Sequence, residues 1–121
     1  MNFEDRESIL NAAEGCTYIV NVASPLPAEA VRDPEREIMI PAIEGTRAIL
    51  EAAEKHGVKK VVLVSAAATV IDLSDYKPLF DENDFAKPAD HSNYPYFVSK
   101  IRQEKLAWEM HEESKGTYDL V

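Results

Sequence analysis

The chain has 121 residues, enough for one hydrophobic core and too few for a nucleotide domain plus a separate substrate domain. Thirteen Lys and Arg against 22 Asp and Glu leave a formal net charge of −9, which repels phosphate backbones and argues against nucleic acid as a partner. With 45% hydrophobic and 29% charged residues the chain is neither a disordered tail nor a membrane span: the uncharged run 61–71 is about half of what a bilayer-crossing helix needs, and the longest one, residues 15–28, is also too short and holds two prolines.

Asn2, Phe3, Glu4 and Asp5 after Met1 form neither a cationic start nor an apolar core, so a cytoplasmic location is expected. Cys16 is alone, which rules out an internal disulfide. It also forms no zinc-type ligand set with His56, His91 and His111, so no metal is expected. The three histidines are read as exposed residues beside helix ends.

A short helix is predicted over residues 5–13, with Asp5 as cap, Ile9, Leu10, Ala12 and Ala13 as its apolar side, and Gly15 as its stop. Residues 18–22 are β-branched or aromatic and run into Ala23-Ser24-Pro25-Leu26-Pro27, where two prolines forbid a continuing ladder. Asp33-Pro34-Glu35 has the form of a helix entry. Ile38, Ala42, Gly45, Thr46, Ile49 and Ala53 then recur at helical spacing as far as the stop at Gly57. Pro41 inside that helix removes one donor, orphans the Glu37 carbonyl and predicts a kink.

Residues 58–64 form a nearly continuous aliphatic run, which predicts a parallel strand buried on both faces. Residues 72–92, with Pro78, Pro88 and many polar side chains, read as a long surface loop of the kind that borders sites. A last helix is expected over residues 95–114, stopped by Gly116, followed by the first residues of another strand at 118–121. The order strand, helix, strand, helix, strand predicts an α/β fold: a single domain over residues 1–121, built as a partial doubly wound parallel sheet with right-handed crossovers.

Tyr96 and Lys100 are four residues apart, about 40° around the last helix and one turn along it, so they can share one site. An ammonium one turn from a phenol favours the phenolate, the form that exists transiently when a phenol gives up its proton. Phe97, Ile101 and Trp108 form a neighbouring stripe expected to pack on the sheet and set the rotation of the helix. Leu106 and Met110 lie away from it, as surface scatter or an interface.

Tyr96-Phe-Val-Ser-Lys100, the run Val61-Val-Leu-Val-Ser65, the turn Asn21-Val-Ala-Ser-Pro25 and the helix from Asp33-Pro34 through Pro41-Ala-Ile-Glu-Gly45-Thr46 together resemble the extended short-chain dehydrogenase/reductase family. Within it they are most similar to the branch of dihydroflavonol, cinnamoyl-CoA and aldehyde reductases. The resemblance implies a Rossmann-like NAD(P)-binding fold and reduction of a ketone or aldehyde carbonyl by a nicotinamide cofactor, NADP or NAD. It implies Tyr96 as general acid and Lys100 as the residue that assists it and binds the nicotinamide ribose. Val22, Ala23 and Ser24 would lie in the turn beside the cofactor. It also implies a small-molecule carbonyl as substrate and a homodimer through the two long helices. The same Tyr and Lys pair occurs in epimerases, dehydratases and steroid dehydrogenases of this fold.

The chain departs from the family pattern twice. The serine or threonine whose hydroxyl contacts the substrate carbonyl is replaced by Ala66, leaving Ser65, or Thr69 if the turn folds back, as stand-in donors. The glycine-rich turn that holds a pyrophosphate cannot be built from Gly15, Gly45, Gly57 and Gly116. The expectation is therefore a central fragment without the first strands and the C-terminal substrate domain. Its alternative role is that of a non-catalytic remnant or interaction module, and its first strand is left with an unpaired edge.

Overall fold

Lys59 to Val64 and the run after Cys16 are rich in β-branched residues, which suit a pleated ladder. In the computed structural model, which describes residues 5–26, 31–72, 77–91 and 93–121, they form the heart of a three-stranded parallel sheet. Its strands are β1 (Tyr18–Asn21), β2 (Lys60–Leu63) and β3 (Asp119–Leu120), in the order β1-β2-β3. Register pairs Tyr18 with Lys60, Asn21 with Leu63 and Val61 with Leu120. The ladder extends beyond the strands where Val64 N–H donates to the Asn21 carbonyl at 2.9 Å and Leu63 N–H donates to the Val121 carbonyl at 2.7 Å.

Three helices connect and cover the strands: α1 (Arg6–Ala12), α2 (Ile40–His56) and α3 (Pro95–Glu113). Asp5 caps α1 as expected, its carboxylate accepting from the Glu7 and Ser8 N–H groups. Gly57 ends α2 at φ 66°, a left-handed conformation that spares a side chain its clash, and Val58 N–H closes back on the Ala53 carbonyl at 2.9 Å. At Pro41 the chain answers the missing donor with a π-helical segment, Glu35–Met39, in which the Ile40 N–H reaches back to the Glu35 carbonyl. The expected disturbance is thus a widened turn ahead of α2, with Pro41 in its first turn, where no N–H is needed.

The core lies between the sheet and α1, α2 and α3. Ile9, Ile49, Leu50, Ala53, Val58, Val61, Ala107, Tyr118 and Leu120 pack there, with Cys16, Ile19, Leu63 and Met110 against them. Small residues on α2, among them Ala42, Gly45, Thr46 and Ala53, are buried and let α3 approach closely.

Only one face of the sheet is covered among the described residues. The alternate residues of the strands and their extensions, Tyr18, Val20, Val22, Val64 and Val121, are 44 to 70% exposed. This corrects the reading of residues 58–64 as buried on both faces: the aliphatic run is double-sided in chemistry, but α1, α2 and α3 all pack on the side of Val61 and Leu63.

The stripe expected to seat α3 is corrected as well. Val98, Ser99, Lys100, Ile101, Gln103 and Ala107 are buried, Phe97 is half-buried and Trp108 is exposed. The helix packs on α2 along one flank and on the sheet along another, so a broad face turns inward and carries Lys100 with it. Met110 packs against the core instead of lying free. His91, read as exposed, is buried at the end of the 3-10 turn Pro88–His91; its Nε2 lies 2.9 Å from the Ile71 carbonyl and its ring meets Phe97 edge-on. Positions 73–76 and 92 of the predicted loop, and Pro27 of the turn after β1, lie outside the described residues.

Candidate active site

Parallel strands place all their C-terminal ends on one rim, where connecting loops and helix starts can converge on a ligand. Here β1 delivers the turn Asn21 to Pro25 to that rim and β2 delivers Val64, Ser65 and Ala66 beside it, because Asn21 and Leu63 are register partners. The helix α3 begins at Pro95, so Tyr96 and Lys100 occupy its first two turns.

Lys100 is 2% exposed, and its Nζ donates to the Val64 carbonyl at 2.9 Å. A lysine ammonium carries three donors, so two remain for other partners after this bond. Burial holds Lys100 below its ordinary lysine value, and the Glu104 carboxylate one turn along opposes that shift. Tyr96, one turn before Lys100, is half-buried, with its ring tilted against Phe97 at 6.0 Å between centroids. Its backbone carbonyl accepts from the Ser99 hydroxyl at 2.7 Å.

Ser65 points toward α3, where its hydroxyl donates to Glu104 in a short hydrogen bond. Thr69, in the 3-10 turn Ala67–Thr69, is buried and its hydroxyl donates to the Ala66 carbonyl at 2.8 Å. Both stand-ins for the missing hydroxyl at position 66 therefore have their protons engaged within the protein.

Val22 is exposed, while Ala23 and Ser24 are half-buried at the end of β1. The Asn21 carboxamide oxygen accepts from Ala23 N–H at 3.1 Å, which fixes the turn. Behind it lies a cavity of about 250 Å³ lined by Asn21, Ser24, Pro41, Thr46 and Gln103 among others. Gln103 Nε2 donates to Thr46 Oγ1 at 2.6 Å across α2 and α3, whereas Gln103 Oε1, Asn21 Nδ2 and Ser24 Oγ have no protein partner. Polar groups in this position suit ordered water or a polar ligand edge.

The residues at the rim fit the nicotinamide-ribose end of a dinucleotide: small side chains at Ala23, an unpartnered hydroxyl at Ser24 and spare donors on Lys100. They do not supply a pyrophosphate turn, since Gly15, Gly57 and Gly116 each follow a helix and Gly45 lies within α2. Among the described residues no group of three His, Cys, Asp or Glu could hold a metal ion, and no helix is long and apolar enough to cross a membrane.

Glu104 and Gln103 were not singled out from the sequence. A glutamate four residues after a lysine reads as an ordinary solvated pair, and only the inward rotation of α3 reveals otherwise.

Residues 1–118 match the profile of the NAD dependent epimerase/dehydratase family. The chain is 36% identical over 116 aligned positions to the bifunctional dihydroflavonol 4-reductase/flavanone 4-reductase of Pyrus communis, covering 91% of this chain and 33% of that protein. It is 36% identical over 110 positions to the dihydroflavonol 4-reductase of Medicago sativa, covering 86% of this chain and 50% of that one. Among solved structures, yeast methylglyoxal/isovaleraldehyde reductase complexed with NADPH superposes with a TM-score of 0.73 at 28% identity, over 95% of this chain and 36% of the other. Vestitone reductase from alfalfa (Medicago sativa) gives 0.78 at 25% identity, over 99% and 37%. The chain thus spans a third to a half of the length of these relatives.

Proposed function

Because the chain belongs to the NAD dependent epimerase/dehydratase family, with reductases among its relatives, we propose that it carries the proton-transfer half of an NAD(P)-dependent carbonyl reductase. The observation that supports this most is the convergence of Lys100 and the Val22–Ser24 turn on one rim of the parallel sheet, with Tyr96 one helical turn from Lys100.

When bound, a nicotinamide cofactor supplies the hydride that a ketone or aldehyde carbon accepts. Tyr96 gives its phenolic proton to the alkoxide oxygen formed in that step. Lys100 stabilises the resulting phenolate by its charge and uses its two spare donors on the ribose hydroxyls. Val22, Ala23 and Ser24 line the cofactor's flank. Ser65 serves through its bond to Glu104, and Ala66 leaves the substrate carbonyl one hydroxyl donor short. Loss of such a donor typically lowers the rate by about 10² to 10³.

Titration with NADPH and with NADH, followed by nicotinamide fluorescence, tests the cofactor part. Saturable enhancement, weakened in Lys100→Met, is expected; no response to either cofactor overturns the reading for this chain.

A second reading, an interaction module without catalysis, is favoured by the open apolar face of Tyr18, Val20, Val22, Val64 and Val121. In that case the fold survives as a binding surface, with pairing of copies through α2 and α3 as one form.

A further inference from the structure

A buried ammonium is stable only when its hydrogen bonds and its charge are both answered. Lys100 has one carbonyl, Val64, at the end of β2, and the chain leaves β2 immediately afterwards through Ser65. The position of that carbonyl therefore depends on what holds Ser65. In this structure Ser65 is held by Glu104, which lies four residues beyond Lys100 on α3.

We propose that Glu104 is a positioning residue for the rim: it clamps Ser65, so that the Val64 carbonyl stays seated under the Lys100 ammonium, and it supplies the negative charge that offsets burying that ammonium. The inference rests on the reading of Lys100 given above and extends it to a carboxylate that touches neither cofactor nor substrate.

The surroundings leave Glu104 as the charged partner of both Ser65 and Lys100 among the described residues. From α2 the side chain bonded to this part of α3 is Thr46, which is uncharged and held by Gln103. Glu35 in the π-helical segment pairs with Arg102 on α3. His91 meets Phe97 edge-on, and Thr69 donates to the Ala66 carbonyl while its uncharged Oγ1 lies 3.4 Å from the Ser65 hydroxyl, a longer contact than the one to Glu104. Asp119 at the start of β3 pairs with Lys60. Glu104 is the charged group that acts on Lys100, and it acts against the effect of burial.

The test is a pH titration of the Lys100 side chain in this chain by carbon and nitrogen NMR of labelled lysine, assigned by loss of the signal in Lys100→Met. Glu104→Gln keeps an acceptor for Ser65 and removes the charge, so the Lys100 midpoint moves down. Glu104→Asp keeps the charge and restores most of the midpoint. Ser65→Ala releases the clamp and speeds exchange of the Lys100 ammonium protons with water. Glu109→Gln, an exposed site paired with Lys105 on the same helix, leaves the midpoint where it was.

A Glu104→Gln midpoint that coincides with the unaltered chain overturns the proposal. If Glu104→Gln fails to fold, Ser65→Ala decides: unchanged ammonium exchange overturns it. The titration uses no cofactor, so its failure is separate from a failure to bind NADPH, which would overturn the reductase reading instead.

Discussion

The two faces of the sheet are built from the same strands and nearly the same residue types, yet they meet different fates. Ile19, Val61, Leu63 and Leu120 turn to α1, α2 and α3 and join the core, while Tyr18, Val20, Val22, Val64 and Val121 turn the other way and stay open. Side-chain alternation alone assigns residues to the two faces; the helices decide which set does the stabilising. The candidate site lies where the covered face reaches the strand ends, beside the packed core.

That contrast can be broken most forcefully by matched truncations. Leu50, 1% exposed, should lose about 2–5 kcal/mol of stability as Leu50→Ala, whereas Val20→Ala on the open face should stay within about 0.5 kcal/mol by urea denaturation. Equal costs would mean that the open face is covered in solution. The open face and the edge of β1, unpaired among the described residues, should also drive self-association at micromolar concentration, and Val20→Lys should reduce it in sedimentation velocity. A sharp, concentration-independent monomeric thermal transition would contradict this.

Smaller effects sharpen the picture. Asp5→Ala removes the carboxylate that caps α1 and should cost about 1 kcal/mol by the same denaturation assay. The pH effect of Lys100 is the subtlest. Its folded value lies below the ordinary 10.5, so the unfolded chain binds more protons between those two values. Stability should therefore rise with pH through that window, as the penalty on the buried charge is relieved. Lys100→Met should lose this share of the rise; an identical pH profile would show that Lys100 is not buried as a charge.

The sequence made the helices and strand order legible because local signals agree there: Asp5 and Gly57 mark helix ends by capping chemistry, and the β-branched runs lie where β1 and β2 form. Tyr96 and Lys100 could be paired from their spacing on one helix face, while Ser65 and the turn from Val22 to Ser24 could be named from the resemblance to the reductase family. Parallel topology brings the ends of β1 and β2 side by side, where Lys100 reaches the Val64 carbonyl. What the sequence hid is rotational and tertiary. Phe97 and Trp108 are as hydrophobic as a core stripe, but two packing partners turn α3 so that Lys100 and Gln103 go inside. His91 was hidden for a similar reason, since its partner is the carbonyl of Ile71, twenty residues away.

The claim at the centre is that the Tyr96 phenol delivers the proton to a carbonyl oxygen at the rim. The direct measurement is NADPH-dependent reduction of an aldehyde by this chain and by Tyr96→Phe, which keeps the ring and removes only the hydroxyl. The account predicts that activity falls by about 10² or more while NADPH binding persists. Reduction that proceeds as fast with phenylalanine at position 96 would contradict it.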